Sequence, residues 1–162
     1  MELPNAIDLP VNVLAACFNN TSATYKYYWL LSIIQSVETG HLRILKSDLF
    51  SKMISNAWFT VNYFHVSFGK QDLIQEAIQV IKTNERISID EQSQIVFERL
   101  TKTSNVVTIK QLWHFNKNVP HWFLSPWFPK MNKIEIYAAS QELKNNCLYS
   151  LYDEEIIINS KW

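Results

Sequence analysis

His114, Asn116 and His121 fall within one short stretch, "HFNKNVPH", and are the residues of this chain best placed by type to do chemistry together. A histidine can take a proton from water, and a divalent metal held by histidine or aspartate can activate that water for hydrolysis. The spacing argues against such a site. His121 follows Pro120, and the two imidazoles are too close in sequence for a hairpin to stand between them. No Cys pairs flank the stretch to brace it around zinc. It reads better as a helix end, with His114 near the last carbonyls and Asn116 or Asn118 terminating the helix.

Other chemistry is equally thin. His41 follows Gly40 in a turn and is expected at the surface, whereas His65 lies among aromatic residues and is expected in the core. There is no Gly-rich phosphate loop and no Gly-X-Ser-X-Gly turn. Asp153, Glu154 and Glu155 form an acidic turn that reads as a solvated tip rather than a metal site. Cys17 and Cys147 are far apart, which suits neither a zinc knuckle nor a disulfide framework. They are expected to be free thiols in a reducing cytosol. No catalytic residue and no metal ligand is therefore assigned, and no cofactor is expected in this segment.

Charge distribution is the better signal. The chain carries 15 basic and 15 acidic residues, so no global field points to a polyanion or a membrane. Yet Lys102, Lys110, Lys117, Lys130 and Lys133 follow one another with no Asp or Glu between residues 101 and 133. A smaller run, Arg43, Lys46, Lys52 and Lys70, is opposed only by Asp48. Segregated charge of this kind suits a face that tracks phosphates. It equally suits a solvated lysine face over buried aromatics. Lysine positions a phosphate without reading sequence, and arginine, the bidentate reader of bases, is nearly absent here.

Within the longer basic run lies "NVPHWFLSPWFPK", with Trp122 and Trp127 among three prolines. Prolines at 120, 126 and 129 are expected to break regular structure, so the aromatics cannot form one helical stripe. Two readings stand. The segment plugs a gap between helices as an irregular knuckle, or Trp122 or Trp127 stays exposed and meets a base or a protein partner.

The elements that must position these residues are mostly helices. Gly40 and Gly69 are the only glycines, which disfavours a fold built on tight hairpins. Thr21 or Ser22 can cap a helix over residues 23–38 that is apolar on nearly every side and so expected to be central. Ser47 can cap a second helix, with Leu49, Phe50, Met53, Ile54, Ala57 and Trp58 on one stripe. "FTVNYFHVSFG" is ambiguous between helix, strand and loop. A third helix after Gly69 presents Leu73, Ile74, Ala77, Ile78 and Ile81. "SIDE", residues 88–91, has capping-box spacing and should open a fourth. A fifth covers residues 108–116, and a shorter one residues 133–144. "CLYSLYDEEIIIN" reads as two strands around the acidic turn.

Four stretches together are similar to the N-terminal region of bacterial HNH endonuclease-domain proteins. They are "FNNTSATYKYYWLLSII", "AWFTVNYFHVSFGKQD", "VPHWFLSPWF" and "LYDEEIIINSKW", in the family's order. Two departures occur. Thr60 stands where the family often has Pro, and His121-Trp122 where it often has a basic residue. The resemblance implies a non-catalytic segment of a metal-dependent nuclease, of a kind compatible with restriction or defence, with the HNH motif and its divalent metal in a downstream domain. DNA and that downstream domain are the implied partners. A homodimerising or protein-binding module without nucleic-acid contact is the alternative.

The 162 residues, 48% apolar and 14% aromatic, suit one domain burying close to about 70% of its unfolded surface. The expected fold is mainly α, a compact multi-helix domain with a small C-terminal β-hairpin; a winged-helix-like arrangement, with a helix near residues 102–117 against DNA, is compatible with it. No signal peptide is read in "MELPNAIDLP", and "YYWLLSII" is too short to span a bilayer, so a cytoplasmic protein is expected. Trp162 as the last residue, with no polar tail, reads as the N-terminal module of a longer protein cut there.

Overall fold

The computed structural model describes residues 9–19, 24–66 and 73–162. Their elements are α1 (Val11–Ala16), α2 (Tyr25–Glu38), β1 (Arg43–Leu45), α3 (Lys46–Asn62), α4 (Leu73–Glu85), α5 (Ser93–Thr101), α6 (Val106–His114), α7 (Val119–Leu124), α8 (Lys133–Ser140), β2 (Tyr149–Leu151) and β3 (Glu155–Ile158). The chain is mainly α with a small C-terminal antiparallel sheet, as the glycine scarcity and helical periodicities imply.

The central helix is α3, not α2. It packs against α2, α4, α5 and α6. Its whole predicted stripe is buried, from Leu49 and Phe50 to Ala57 and Trp58, and Val61 extends it. That extension settles the ambiguous "FTVN" as helix, because a residue on the core face is held by packing whatever its β-propensity. The helix stops where His65 takes φ 52° and the Val66 amide reaches back to the Thr60 carbonyl at 3.3 Å. This is a left-handed helix end with histidine in the place glycine usually takes. His65 is therefore exposed, contrary to expectation.

Helix α2 is one-sided. It buries Trp29, Ser32, Ile33 and Ser36, while Tyr27, Leu31, Ile34 and Val37 remain exposed. Ser32 and Ser36 lie one turn apart and donate to the carbonyls of Tyr28 and Ser32, so they are satisfied within their own helix. Small, self-satisfied residues let α3 approach closely, which the apolar count of α2 conceals. Gly40 closes this helix at φ 85°, a conformation that costs any residue with a Cβ. The predicted caps Thr21 and Ser22 lie outside the described residues.

Two other helix starts differ from expectation. Ser88 donates to Asp90 in a turn, and α5 begins only at Ser93. Ser47 lies inside α3, whose first residue is Lys46. Caps that the sequence reading overlooked are real instead. The Asn105 side chain accepts from the Val107 and Thr108 amides. Asn132 and Glu135 form a reciprocal capping box on α8.

The expected hairpin of β2 and β3 acquires a third strand. β1 pairs with β3, giving the order β1-β3-β2, all antiparallel. Ile156 stands between Ile44 and Leu151, and all three are buried. The first strand of the chain thus lies beside the last, with α3 to α8 between β1 and the β2–β3 hairpin. In that order the helix before the hairpin is α8, rather than the one near residues 102–117.

Candidate functional site

The aromatic, proline-rich stretch is less irregular than predicted. Pro120 occupies the first turn of α7, where its missing N–H is no loss. Only Pro126 and Pro129 fall in the turns that follow. His121, Phe123, Leu124 and Phe128 turn inward as the expected plug. The Pro120 carbonyl accepts from Tyr149 Oη at 2.7 Å, and that oxygen accepts from Trp29 Nε1 at 2.9 Å. One phenol thus ties α7 to β2 and α2. Trp127 is half-buried edge-on to Trp162, centroids 5.9 Å apart. Trp122 is 46% exposed. The two readings of the stretch therefore divide between residues: Trp127 belongs to the packing and Trp122 faces outward.

Of the smaller basic run, Lys46 is spent inside the molecule. Lys46 is fully buried, and its ammonium donates to Tyr137 Oη at 2.7 Å, Asn116 Oδ1 at 3.1 Å and the Asp153 carbonyl at 3.1 Å. Burial, then the charge on Lys133, pushes its pKa down to about 8. Arg43 pairs with Glu155 at 3.5 Å, and Lys52 turns to Ser36. Lys70 lies outside the described residues.

Lys102, Lys110, Lys117, Lys130 and Lys133 are all exposed, and none makes an ion pair among the described residues. They are not one cluster. Lys110, His114 and Lys117 follow at helical spacing along α6 and the 3-10 turn Phe115–Lys117, so they share a side. Lys133 joins that corner by donating to the Asn116 carbonyl at 3.2 Å. Lys130, at φ 69°, stands in the turn just before α8. Lys102 is apart, in a cleft that also holds Glu85, Glu98 and Arg99. It differs from the other four in sharing its cleft with carboxylates.

Between α2, α7 and α8 lies a second cleft of about 430 Å³. Lys26, His121, Trp122, Asn132 and Lys133 line it, and no carboxylate does among the described residues. His121 is 7% exposed and its Nδ1 is buried without a partner. Burial, then Lys133 and Lys46, pulls its pKa down to about 4, so the ring is neutral at pH 7. Lys26 and Asn132 escaped the sequence reading. An Asn-X-X-Glu capping signature marks Asn132; nothing in the sequence marks Lys26, which tertiary packing alone brings there.

His114 and His121, the tempting pair, line different clefts. No group of three or more His, Cys, Asp or Glu among the described residues is arranged to hold a metal. Both cysteines are free and buried, and burial pushes Cys17 up to about 12 and Cys147 up to about 11, which makes them poor nucleophiles. No described helix is long and apolar enough to cross a membrane. No protein-family model, no curated protein and no solved structure matches the chain.

Proposed function

We propose that this domain is a non-catalytic nucleic-acid-positioning module, acting for a catalytic domain elsewhere in its protein. The observation that carries the reading is the row Lys110, His114, Lys117 joined by Lys133, exposed and without carboxylate partners among the described residues. Lysines of this kind contact phosphates, release counterions and orient a duplex or strand without reading its sequence. The likeness to the N-terminal region of HNH endonuclease-domain proteins supports DNA as the target and a metal-dependent nuclease as the domain being positioned. The test is the salt dependence of binding to a duplex of mixed sequence. A steep fall in affinity with salt supports the reading, and a salt-independent signal or none overturns it.

A second reading, a protein-interaction or dimerisation module, is favoured by a different surface. Tyr27, Leu31, Ile34 and Val37 leave one side of α2 apolar and exposed. Sedimentation of the wild type and Leu31→Glu separates the two: salt-insensitive self-association lost in the variant supports this second reading.

A further inference from the structure

The cleft between α2, α7 and α8 differs from the lysine row in kind. It is concave, and its volume of about 430 Å³ falls in the small-ligand range of roughly 300–1,000 Å³. Two lysines, Lys26 and Lys133, line it, and none of its described lining residues is a carboxylate. Glu135, the nearest acid in sequence, is turned to the Asn132 backbone amide at 2.7 Å. Lys26 and Lys133 are themselves anchored, to the Cys17 carbonyl at 2.8 Å and the Asn116 carbonyl at 3.2 Å, so their charges are held in place.

His121 supplies the detail that points to a ligand. Its Nδ1 is buried and unpartnered. A buried N–H without an acceptor is rarer than a bare acceptor, so the proton belongs on Nε2. Nε2 has no hydrogen-bond partner among the described residues, and His121 lines the cleft. A neutral imidazole that shares the cleft with two lysines is thus left with a donor to give. Beside it the Trp122 ring, half in solvent, offers a flat apolar face.

We propose that this cleft binds the phosphate monoester of a nucleotide, with Lys26, Lys133 and His121 Nε2–H holding the phosphoryl group and the base stacking on Trp122. The ligand is a free mononucleotide or the 5′-phosphate end of a strand; the chemistry recognised is the same. The site shares Lys133 with the lysine row but needs neither Lys110 nor Lys117, and the polyanion reading above does not require this site.

The test is calorimetric titration of the whole chain with adenosine 5′-monophosphate, inorganic phosphate and adenosine, and with 5′-phosphorylated and 5′-hydroxyl oligonucleotides. Expected is binding of the monophosphate above phosphate and well above adenosine, weakened about ten-fold by Lys133→Gln and restored by Lys133→Arg. Trp122→Ala should bring the monophosphate down to the level of inorganic phosphate. A 5′-phosphorylated strand that outbinds its hydroxyl counterpart identifies the strand end as a source; mononucleotide binding without that difference supports a free nucleotide. Adenosine binding as tightly as its monophosphate, or indifference to Lys133→Gln, overturns the site. Equal affinity for both strands with no mononucleotide binding also overturns it, while leaving the polyanion reading standing. Mononucleotide binding with no oligonucleotide binding supports the site and overturns that reading.

Discussion

Lys46 and Tyr137 make the tightest cross-link between the start of α3 and α8: the ammonium donates to the phenol oxygen at 2.7 Å and lies 4.8 Å from the ring centroid. The same ammonium reaches Asn116 and the turn of the hairpin. A charge fully withdrawn from water survives because three oxygens replace its hydration shell. It fixes the corner from which Lys117 and Lys133 project.

Lys46→Met keeps the length of the side chain and removes the donor. Three oxygens then lose their partner, and the domain should lose about 2–4 kcal/mol. Urea unfolding monitored by tryptophan fluorescence measures this, and a loss near zero would show the ammonium to be dispensable.

The same lysine sets an alkaline signature. Its pKa is about 8 in the folded chain and near 10.5 unfolded. Below pH 8 both states hold the proton, and the burden of the buried charge is fully present. Between about pH 8 and 10.5 the unfolded state holds more protons, so stability rises with pH through that window. Wild type should gain on Lys46→Met as the pH is raised from 7.5 to 9.5 in paired urea titrations.

His121 gives the acid counterpart. Its pKa is about 4 folded against 6.5 unfolded. As pH falls from about 6.5 to 4 the unfolded state takes the proton first, so stability falls with acid through that window. His121→Leu should flatten this part of the curve of melting temperature against pH. An unchanged slope would mean the ring is not held neutral.

Tyr149 Oη is fully buried between Trp29 and Pro120. Tyr149→Phe leaves an indole N–H and a carbonyl unsatisfied and should cost about 1–3 kcal/mol, with no change in nucleic-acid affinity at temperatures where the fold holds.

Within the basic run the lysines should not be equivalent. Lys110→Gln and Lys117→Gln should each lower the slope of log affinity against log salt by about one. Lys102→Gln should leave it nearly unchanged, because Glu85 and Glu98 share its cleft. Binding curves at several salt concentrations decide this, and equal effects at all three positions would contradict the division.

The sequence by itself determined the longer helices and the stripe of α3, though not the six-residue α1 and α7, because a period of 3.6 residues along a buried face is a local pattern. It determined the strands of the hairpin and the exposed lysines of residues 101–133, since a run of cations without acids has no neighbour in sequence to neutralise it. It misplaced α2 at the centre, sent His65 inward and missed β1. Three residues, "RIL", are too few to signal a strand, and they become one only because β3 offers an edge. Only the tertiary structure decided which cations are spent and which are free. Lys46 and Lys133 are alike in sequence, yet three oxygens from remote segments bury the first, while Asn116 and Tyr137 leave the second at the mouth of a cleft. A lysine's charge is local, but its surroundings are made by parts of the chain brought together only on folding.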